Sequence, residues 1–200
     1  DNLERIAAEV GAVARRFPWV RLVLLGELAC FGANTTFAQA MPGDAEQFLC
    51  ALARRHGLWL VPGSLYEQRD GAVYNTTPVI DPAGEVIARY RKLFPFAPYE
   101  RNIAAGDECV VFDVPGAGRL GISICYDMWF PETTRSLVSL GAEVILHPTM
   151  TNTIDRDVEI AIARASAVTN QCYFVDVNVA GDLGVGRSVV CGPGGGVVHQ

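Results

Sequence analysis

The chain has 200 residues, 50% of them hydrophobic, and it carries a formal net charge of −6 with a sequence pI of about 5.0. This length and composition predict one domain with a sizeable core. The acidic balance excludes the basic stripe of a nucleic-acid-binding protein and charge-driven attachment to anionic membranes. No apolar run reaches the roughly 20 residues that cross a bilayer, and the polar first residues do not resemble a signal peptide, so we expect a cytoplasmic protein.

The chain alternates between apolar patterns of helical period and short apolar runs typical of buried strands. Asp1 and Asp44 are interpreted as caps of the first two helices, and Gly57 as the end of the second. Turn sequences at 81–84 and 115–118 predict two hairpins. In chain order the predicted elements are a helix ending near 17–18, a strand over 20–25, a helix over 44–55, a strand over 58–65, paired strands over 73–80 and 85–92, paired strands over 109–114 and 119–125, a helix over 131–140, a strand over 143–147, a helix over 155–170, and strands over 172–177 and 188–190.

This mixture of hairpins and helical crossovers predicts a layered α/β or α+β fold with mixed sheets. No linker, repeat or low-complexity segment divides residues 1–200, which predicts a single domain. The first predicted helix has no strand before it, and residues 196–200 resemble the start of another strand. We therefore expect strands of this domain to be missing at both ends.

The cysteines and glycines argue against bound cofactors. No two of the six cysteines form a C-x-x-C pair, and the thiols do not cluster with the three histidines, so neither a zinc site nor a disulfide framework is predicted. Five of the thiols are interpreted as small buried hydrophobic groups in a reducing compartment. The glycine-rich segment 192–196 lacks the Gly-Lys-Ser/Thr ending of a phosphate-binding loop. The cysteines are Cys30, Cys50, Cys109, Cys125, Cys172 and Cys191.

Three reactive side chains come at the ends of predicted strands, where sites commonly form. Glu27, Lys92 and Cys125 together supply what acyl transfer needs. A thiolate is the nucleophile, a carboxylate takes the proton and returns it to the leaving nitrogen, and an ammonium stabilises the thiolate and the oxyanion. The backbone N–H of Tyr126 is a candidate second oxyanion donor.

Two other interpretations remain open at this point. His147 ends an apolar strand, so a Cys125–His147 dyad is conceivable, although it would leave Lys92 without a role. A non-catalytic binding module is the other alternative, and the intact set of three reactive residues argues against it.

Several segments in order resemble the nitrilase superfamily of carbon–nitrogen hydrolases. Gly26 is a departure, because the family usually has Pro before the base. Glu100 matches a second glutamate that the family often places against the lysine and the substrate. The matching segments are Leu24-Leu25-Gly26-Glu27-Leu28, Tyr90-Arg91-Lys92-Leu93, Pro98-Tyr99-Glu100, the nucleophile segment 121–127 with Phe130-Pro131-Glu132 and Arg135, and the later segments 164–173, 186–188 and 192–195.

The resemblance implies an α+β fold, a four-layer α-β-β-α sandwich, and hydrolysis of a non-peptide carbon–nitrogen bond through a cysteine thioester. It also implies pairing into homodimers or larger homo-oligomers, with no metal or other cofactor. Tyr126-Asp127 after the nucleophile resembles the amidase-like branches, which favours a small amide or N-carbamoyl substrate over a nitrile. A glutaminase domain that feeds ammonia to a synthetase is the alternative. Candidate pocket residues, with core packing as the other possibility, are Tyr126, Trp129, Tyr99 and Met150.

Overall fold

The computed structural model describes residues 2–200, so the capping role predicted for Asp1 lies outside the described residues. The helices are α1 (Asn2–Arg16), α2 (Asp44–His56), α3 (Pro131–Ser139) and α4 (Arg156–Asn170), with 3₁₀ turns at Thr35–Phe37 and Cys125–Trp129. The strands are β1 (Leu22–Leu24), β2 (Trp59–Val61), β3 (Leu65–Arg69), β4 (Ala72–Ile80), β5 (Val86–Arg91), β6 (Ile103–Ala104), β7 (Val110–Val114), β8 (Gly118–Ile122), β9 (Val144–Thr149), β10 (Tyr173–Asn178), β11 (Ala180–Gly181), β12 (Gly184–Val185), β13 (Val189–Cys191) and β14 (Val197–His199).

Two six-stranded sheets form the centre of the molecule. The first has the order β1-β2-β4-β3, with β5 and β6 also paired to β4, and the second has the order β14-β13-β10-β9-β8-β7. Both sheets are mixed: β1 runs parallel to β2, whereas β4 is antiparallel to β2 and β5. The β8-β9-β10 strands are parallel, and β7 and β13 are antiparallel to their neighbours.

Alternation along the strands builds the four layers, because successive side chains of a strand point to opposite faces. In β2, Trp59 lies between the two sheets, whereas Leu60 packs in the cluster under α1 and α2. In β9, Leu146 lies between the sheets, whereas Ile145 packs in the cluster under α3 and α4. Burying one such side chain stabilises the fold by roughly 1.5–3 kcal/mol. The three apolar clusters therefore hold the layers together in the order α-β-β-α. The predicted α+β sandwich is confirmed.

The strand predicted over 58–65 is wrong as one element. It divides into β2 and β3, and Gly63 between them has φ +74, a conformation that favours glycine. A Cβ on Gly63 would lie 1.8 Å from the carbonyl oxygen of Gly26, so no other residue fits there. The break brings the chain close to the segment that precedes Glu27.

The cap predicted at Asp44 is displaced by one residue. Gly43 occupies the cap position, and Asp44 is the first helical residue of α2. Gly43 itself has no side chain to cap with, and the Gln39 side chain instead accepts a 3.0 Å hydrogen bond from the Ala45 N–H. The predicted end of α2 is correct, since Gly57 ends the helix in the left-handed conformation.

Candidate active site

The three reactive residues follow strands from both sheets. Glu27 lies three residues beyond β1, and Lys92 directly follows β5. The pairing of β7 with β8 ends at Ile122, so the strand predicted to reach Cys125 is shorter, and Cys125 begins a 3₁₀ turn instead. Because the sheets stack face to face, their ends bring the three residues to one cavity.

Lys92 forms two buried ion pairs. Its Nζ lies 2.8 Å from Glu27 Oε1 and 2.7 Å from Glu100 Oε2. All three residues are buried, with Lys92 only 1% exposed, so the ion pairs are screened little by water. Glu100 Oε2 also accepts a 2.7 Å hydrogen bond from the Phe96 N–H. Lys92 is the only lysine among the 200 residues.

Asn75 completes this cluster and is not among the residues predicted from the sequence. Its Nδ2 donates to Glu27 Oε1 at 2.9 Å and to Glu100 Oε1 at 2.8 Å. Asn75 lies within β4 and is fully buried. A buried amide requires hydrogen-bond partners, but only the strand pairing shows that its partners are two carboxylates.

Cys125 lies at a sharp backbone turn. Its φ is +46°, the left-handed region that a non-glycine residue adopts at a cost. The turn is held by the buried carboxylate of Asp127, which accepts a 2.8 Å hydrogen bond from the Ile124 N–H. The same carboxylate accepts from the Tyr90 hydroxyl at 2.6 Å and from the Phe94 N–H at 2.8 Å. Asp127 therefore ties the cysteine turn to the segments on either side of Lys92.

Burial controls the protonation of these groups. Burial raises the pKa of the Cys125 thiol, and the charge of Glu27 raises it further, against the opposing effect of Lys92. Burial also raises the pKa of the Glu27 carboxyl, which Lys92 partly offsets. For Lys92, burial opposes the charged form, but Glu27, Cys125 and Glu100 outweigh it, so its pKa is raised. Burial thus favours the neutral thiol of Cys125, whereas the neighbouring anionic groups favour the charged form of Lys92.

These groups open into a cavity of about 600 Å³. Glu27, Lys92, Glu100 and Cys125 all line it. Two of the four predicted pocket residues, Tyr99 and Met150, line it as well. Apolar lining is also supplied by Leu28, Tyr66, Phe96, Ile103 and Leu183.

Two other predicted pocket residues, Tyr126 and Trp129, are not among the cavity-lining residues of the described part of the chain. Both belong to an aromatic cluster that reaches the cavity through Phe96. The Tyr126 ring lies 4.9 Å from that of Phe96, 6.2 Å from that of Trp129 and 5.4 Å from that of Phe130.

His147 occupies a different layer from the cavity. Its Nδ1 lies 2.7 Å from Ser123 Oγ, and its ring packs 5.2 Å from that of Phe174, which belongs to the cluster under α3 and α4. Burial lowers the pKa of His147 to about 3. A ring that holds a proton so weakly is a poor base for a thiol, which argues against the Cys125–His147 alternative.

Within residues 2–200, no group of three or more His, Cys, Asp or Glu side chains has the arrangement of a metal site. None of the helices in the described part of the chain is both long and apolar enough to span a membrane.

Comparison with protein families gives one match over the whole chain: the family model described as carbon-nitrogen hydrolase matches residues 1–200. Among curated proteins, a formamidase of Bacillus cereus (strain B4264) is 29% identical over 201 residues, covering 95% of this chain and 60% of that protein. A formamidase of Bacillus anthracis (strain CDC 684) is also 29% identical with the same coverage. The chain thus spans 60% of the length of these curated relatives.

Solved structures share the fold closely. Saccharomyces cerevisiae Nit3, a member of branch 10 of the nitrilase superfamily, superposes with a TM-score of 0.89 at 27% identity, over 98% of this chain and 78% of Nit3. An amidase of Nesterenkonia sp. AN1 superposes with a TM-score of 0.88 at 28% identity, over 98% of this chain and 78% of the amidase. That structure carries the acetamide moiety of fluoroacetamide added covalently at the active site cysteine of a mutant amidase.

Proposed function

The chain belongs to the carbon–nitrogen hydrolase family, and on that basis we propose that it hydrolyses the carbon–nitrogen bond of small amides through a thioester on Cys125. The observation that carries this proposal is the buried Lys92 ammonium held by Glu27 and Glu100 in the cavity that Cys125 also lines. A nucleophile, a base and a fixed positive charge are then within reach of one bound carbonyl group.

The first half of the reaction acylates Cys125. Glu27 takes the thiol proton as sulfur attacks the carbonyl carbon, since burial raises the pKa of the Cys125 thiol and so favours its neutral form. The oxyanion that forms is stabilised by the Lys92 ammonium and by the backbone N–H of Tyr126. Glu27 then passes its proton to the nitrogen, the carbon–nitrogen bond breaks, and ammonia or an amine leaves the thioester behind.

The second half returns the enzyme to its resting state. Glu27, again ionised, takes a proton from water as the water oxygen attacks the thioester carbon. The carbon–sulfur bond breaks, the sulfur recovers a proton from Glu27, and a carboxylic acid leaves. Glu100 takes no proton in this scheme and holds the Lys92 ammonium in position, since a group with two anionic partners is fixed more firmly than a group with one.

An amide is the favoured substrate class, with N-carbamoyl compounds second. The formamidases and the Nesterenkonia amidase are relatives whose names describe amide hydrolysis. The apolar lining of the cavity, which includes Leu28, Tyr66 and Met150, suits the uncharged acyl part of such a substrate.

Ammonia release across a panel of aliphatic amides, N-carbamoyl compounds, nitriles and glutamine tests the proposal. We expect turnover of at least one amide, abolished in Cys125→Ala and retained in the matched control Cys50→Ala, a partly buried thiol outside the cavity. Activity confined to glutamine would favour the glutaminase alternative. Equal rates in wild type and Cys125→Ala would overturn the assignment, and a folded wild-type chain inactive on the whole panel would favour a binding module.

We further propose that residues 1–200 form a single domain that pairs into homodimers or larger oligomers in the cytoplasm. Apolar side chains exposed on α4, Val158 at 46% and Val168 at 39%, support pairing through that helix. Six free cysteines are compatible with a reducing compartment. Light scattering after size-exclusion chromatography measures the oligomer mass, and a monomer at micromolar concentration would contradict pairing.

A further inference from the structure

Asn75 is held within β4, where its side chain bonds two carboxylates that line the cavity. It lies opposite Tyr66 in the β3-β4 ladder, and its carbonyl oxygen accepts a 2.9 Å hydrogen bond from the Lys92 N–H. The backbone of Asn75 is therefore hydrogen-bonded directly to the backbone of Lys92. A residue fixed in the middle of a sheet keeps its position more precisely than one on a loop.

The Asn75 side chain bridges the same two carboxylates that the Lys92 ammonium bridges. Each carboxylate receives one bond from Asn75 Nδ2 and one from Lys92 Nζ, at distances between 2.7 and 2.9 Å. On Glu27, both of these donors bind the same atom, Oε1. The other oxygen, Oε2, takes no hydrogen bond from Asn75 or Lys92, and Glu27 lines the same cavity as Cys125.

The orientation of the amide follows from charge. Asn75 Oδ1 is buried and has no hydrogen-bond partner among the described residues. A flipped amide would aim this oxygen at two carboxylates and would lose both N–H donors, so only the observed orientation is favourable. A buried acceptor without a partner is costly, and its retention indicates that the two N–H bonds outweigh that cost.

The cluster needs these bonds because it holds two carboxylates and one ammonium. The charge of Glu100 disfavours ionisation of Glu27, in the same direction as burial. Two N–H groups from a neutral amide stabilise the second negative charge without adding a positive charge that would attract the carboxylates away from Lys92.

We propose that Asn75 is a positioning residue that clamps Glu27 and Glu100, keeping Glu27 ionised with Oε2 free to receive the Cys125 proton. This inference rests on the proposed function, since it assigns a role within that reaction. Asn75 does not touch the reacting atoms and acts through Glu27.

Two substitutions separate the clamp from simple packing. Asn75→Ala removes both N–H donors and some volume, whereas Asn75→Asp keeps the shape but replaces the donors with a third carboxylate. We expect kcat for acetamide to fall about 10- to 100-fold in both variants, the range for losing a hydrogen bond to a charged group, with a smaller change in KM. The acidic limb of kcat/KM should move to higher pH in both.

The matched control is Thr77→Val, on the same face of β4, whose buried hydroxyl has no hydrogen-bond partner among the described residues. Its acidic limb should coincide with that of wild type. A purely structural role would lower activity in Asn75→Ala, spare Asn75→Asp and move neither limb, and that pattern would overturn the proposal. If Asn75→Asp does not fold, the acidic limb of Asn75→Ala alone tests the proposal, and a limb that coincides with that of wild type would overturn it.

A second readout does not require turnover. Because Lys92 is the only lysine in the chain, labelling with [¹⁵Nζ]lysine gives one side-chain ammonium signal. We expect the signal to be visible in wild type and Thr77→Val, and broadened by faster hydrogen exchange in Asn75→Ala. Unchanged exchange in Asn75→Ala would refute the clamp. Absence of amide turnover in a wild type that shows the signal would refute the proposed function alone.

Discussion

Replacing Lys92 with methionine removes the ammonium while keeping most of its apolar stem. Glu27 and Glu100, which are 3% and 6% exposed, then share a buried site in which Asn75 donates to both and the Phe96 N–H donates to Glu100, and neither donor carries a charge. Removing one partner of a buried ion pair typically costs about 3–5 kcal/mol, because the other charge stays uncompensated. We therefore expect Lys92→Met to lower the free energy of unfolding by about 3–5 kcal/mol at pH 8.

The pH dependence of this loss distinguishes a charge effect from a packing effect. In wild type, the Lys92 charge lowers the pKa of Glu27 against burial and Glu100, which both raise it. Without Lys92 the folded-state pKa of Glu27 rises further above that of the unfolded chain, so the folded state binds an extra proton. Stability of Lys92→Met is then greatest at low pH and is lost as the pH rises through the folded-state pKa of Glu27.

Urea unfolding followed by circular dichroism at pH 5 and pH 8 measures both effects. Arg119→Met is the control, since Arg119 pairs with Asp113 at the surface, with 44% and 67% of the two side chains exposed, and its removal should change stability little at either pH. A Lys92→Met protein within about 1 kcal/mol of wild type at pH 8, or equally destabilised at both pH values, would refute the buried ion-pair reasoning. Amide turnover by the folded variant should fall at least 10²–10³-fold, the typical effect of losing an oxyanion donor.

Three further outcomes are expected. The midpoint of the acidic limb of kcat/KM should lie above the ordinary carboxyl pKa of 4.5, because Glu27 must be ionised to act as the base and burial raises its pKa. A pH–rate profile with this midpoint at or below 4.5 would contradict that expectation. Tyr90→Phe removes the 2.6 Å hydrogen bond to Asp127 and should lower the free energy of unfolding by about 1–3 kcal/mol in urea, whereas an unchanged midpoint and slope would mean that this bond contributes nothing. Burial raises the pKa of Asp176 from 3.8 to about 7 although Arg156 lies 2.8 Å away, so the free energy of unfolding should fall as the pH rises between these values. Asp176→Asn should flatten that dependence, and the same pH dependence of urea unfolding in both proteins would contradict this.

Residues that follow strands could be predicted from the sequence, and residues inside strands could not. Glu27, Lys92 and Cys125 are polar groups at the ends of apolar runs, where the chain leaves the core and side chains converge. Asn75 lies inside β4, where two threonines follow it, and its role depends on which carboxylates the neighbouring strands bring to it. That information is in the strand pairing and not in the local pattern.

Backbone conformation accounts for the other differences. Tyr126 and Trp129 are predicted in the pocket, but the left-handed φ of Cys125 starts a 3₁₀ turn in which neither side chain lines the cavity. The break between β2 and β3 depends on the close approach of Gly63 to the Gly26 carbonyl, a contact between segments far apart in sequence. Periodicity predicts which residues are buried, but it carries no information about such contacts.

Peptide-mapped mass spectrometry of Glu27→Gln after mixing with an activated acyl ester tests the chemistry most directly. An activated ester has a leaving group that needs no proton, so Cys125 can still be acylated slowly, while the missing base leaves the thioester unhydrolysed. We expect one acyl group to accumulate on the peptide that contains Cys125, with amide turnover abolished. Acyl groups on another residue, or amide hydrolysis by Glu27→Gln at the wild-type rate, would contradict the roles proposed for Glu27 and Cys125.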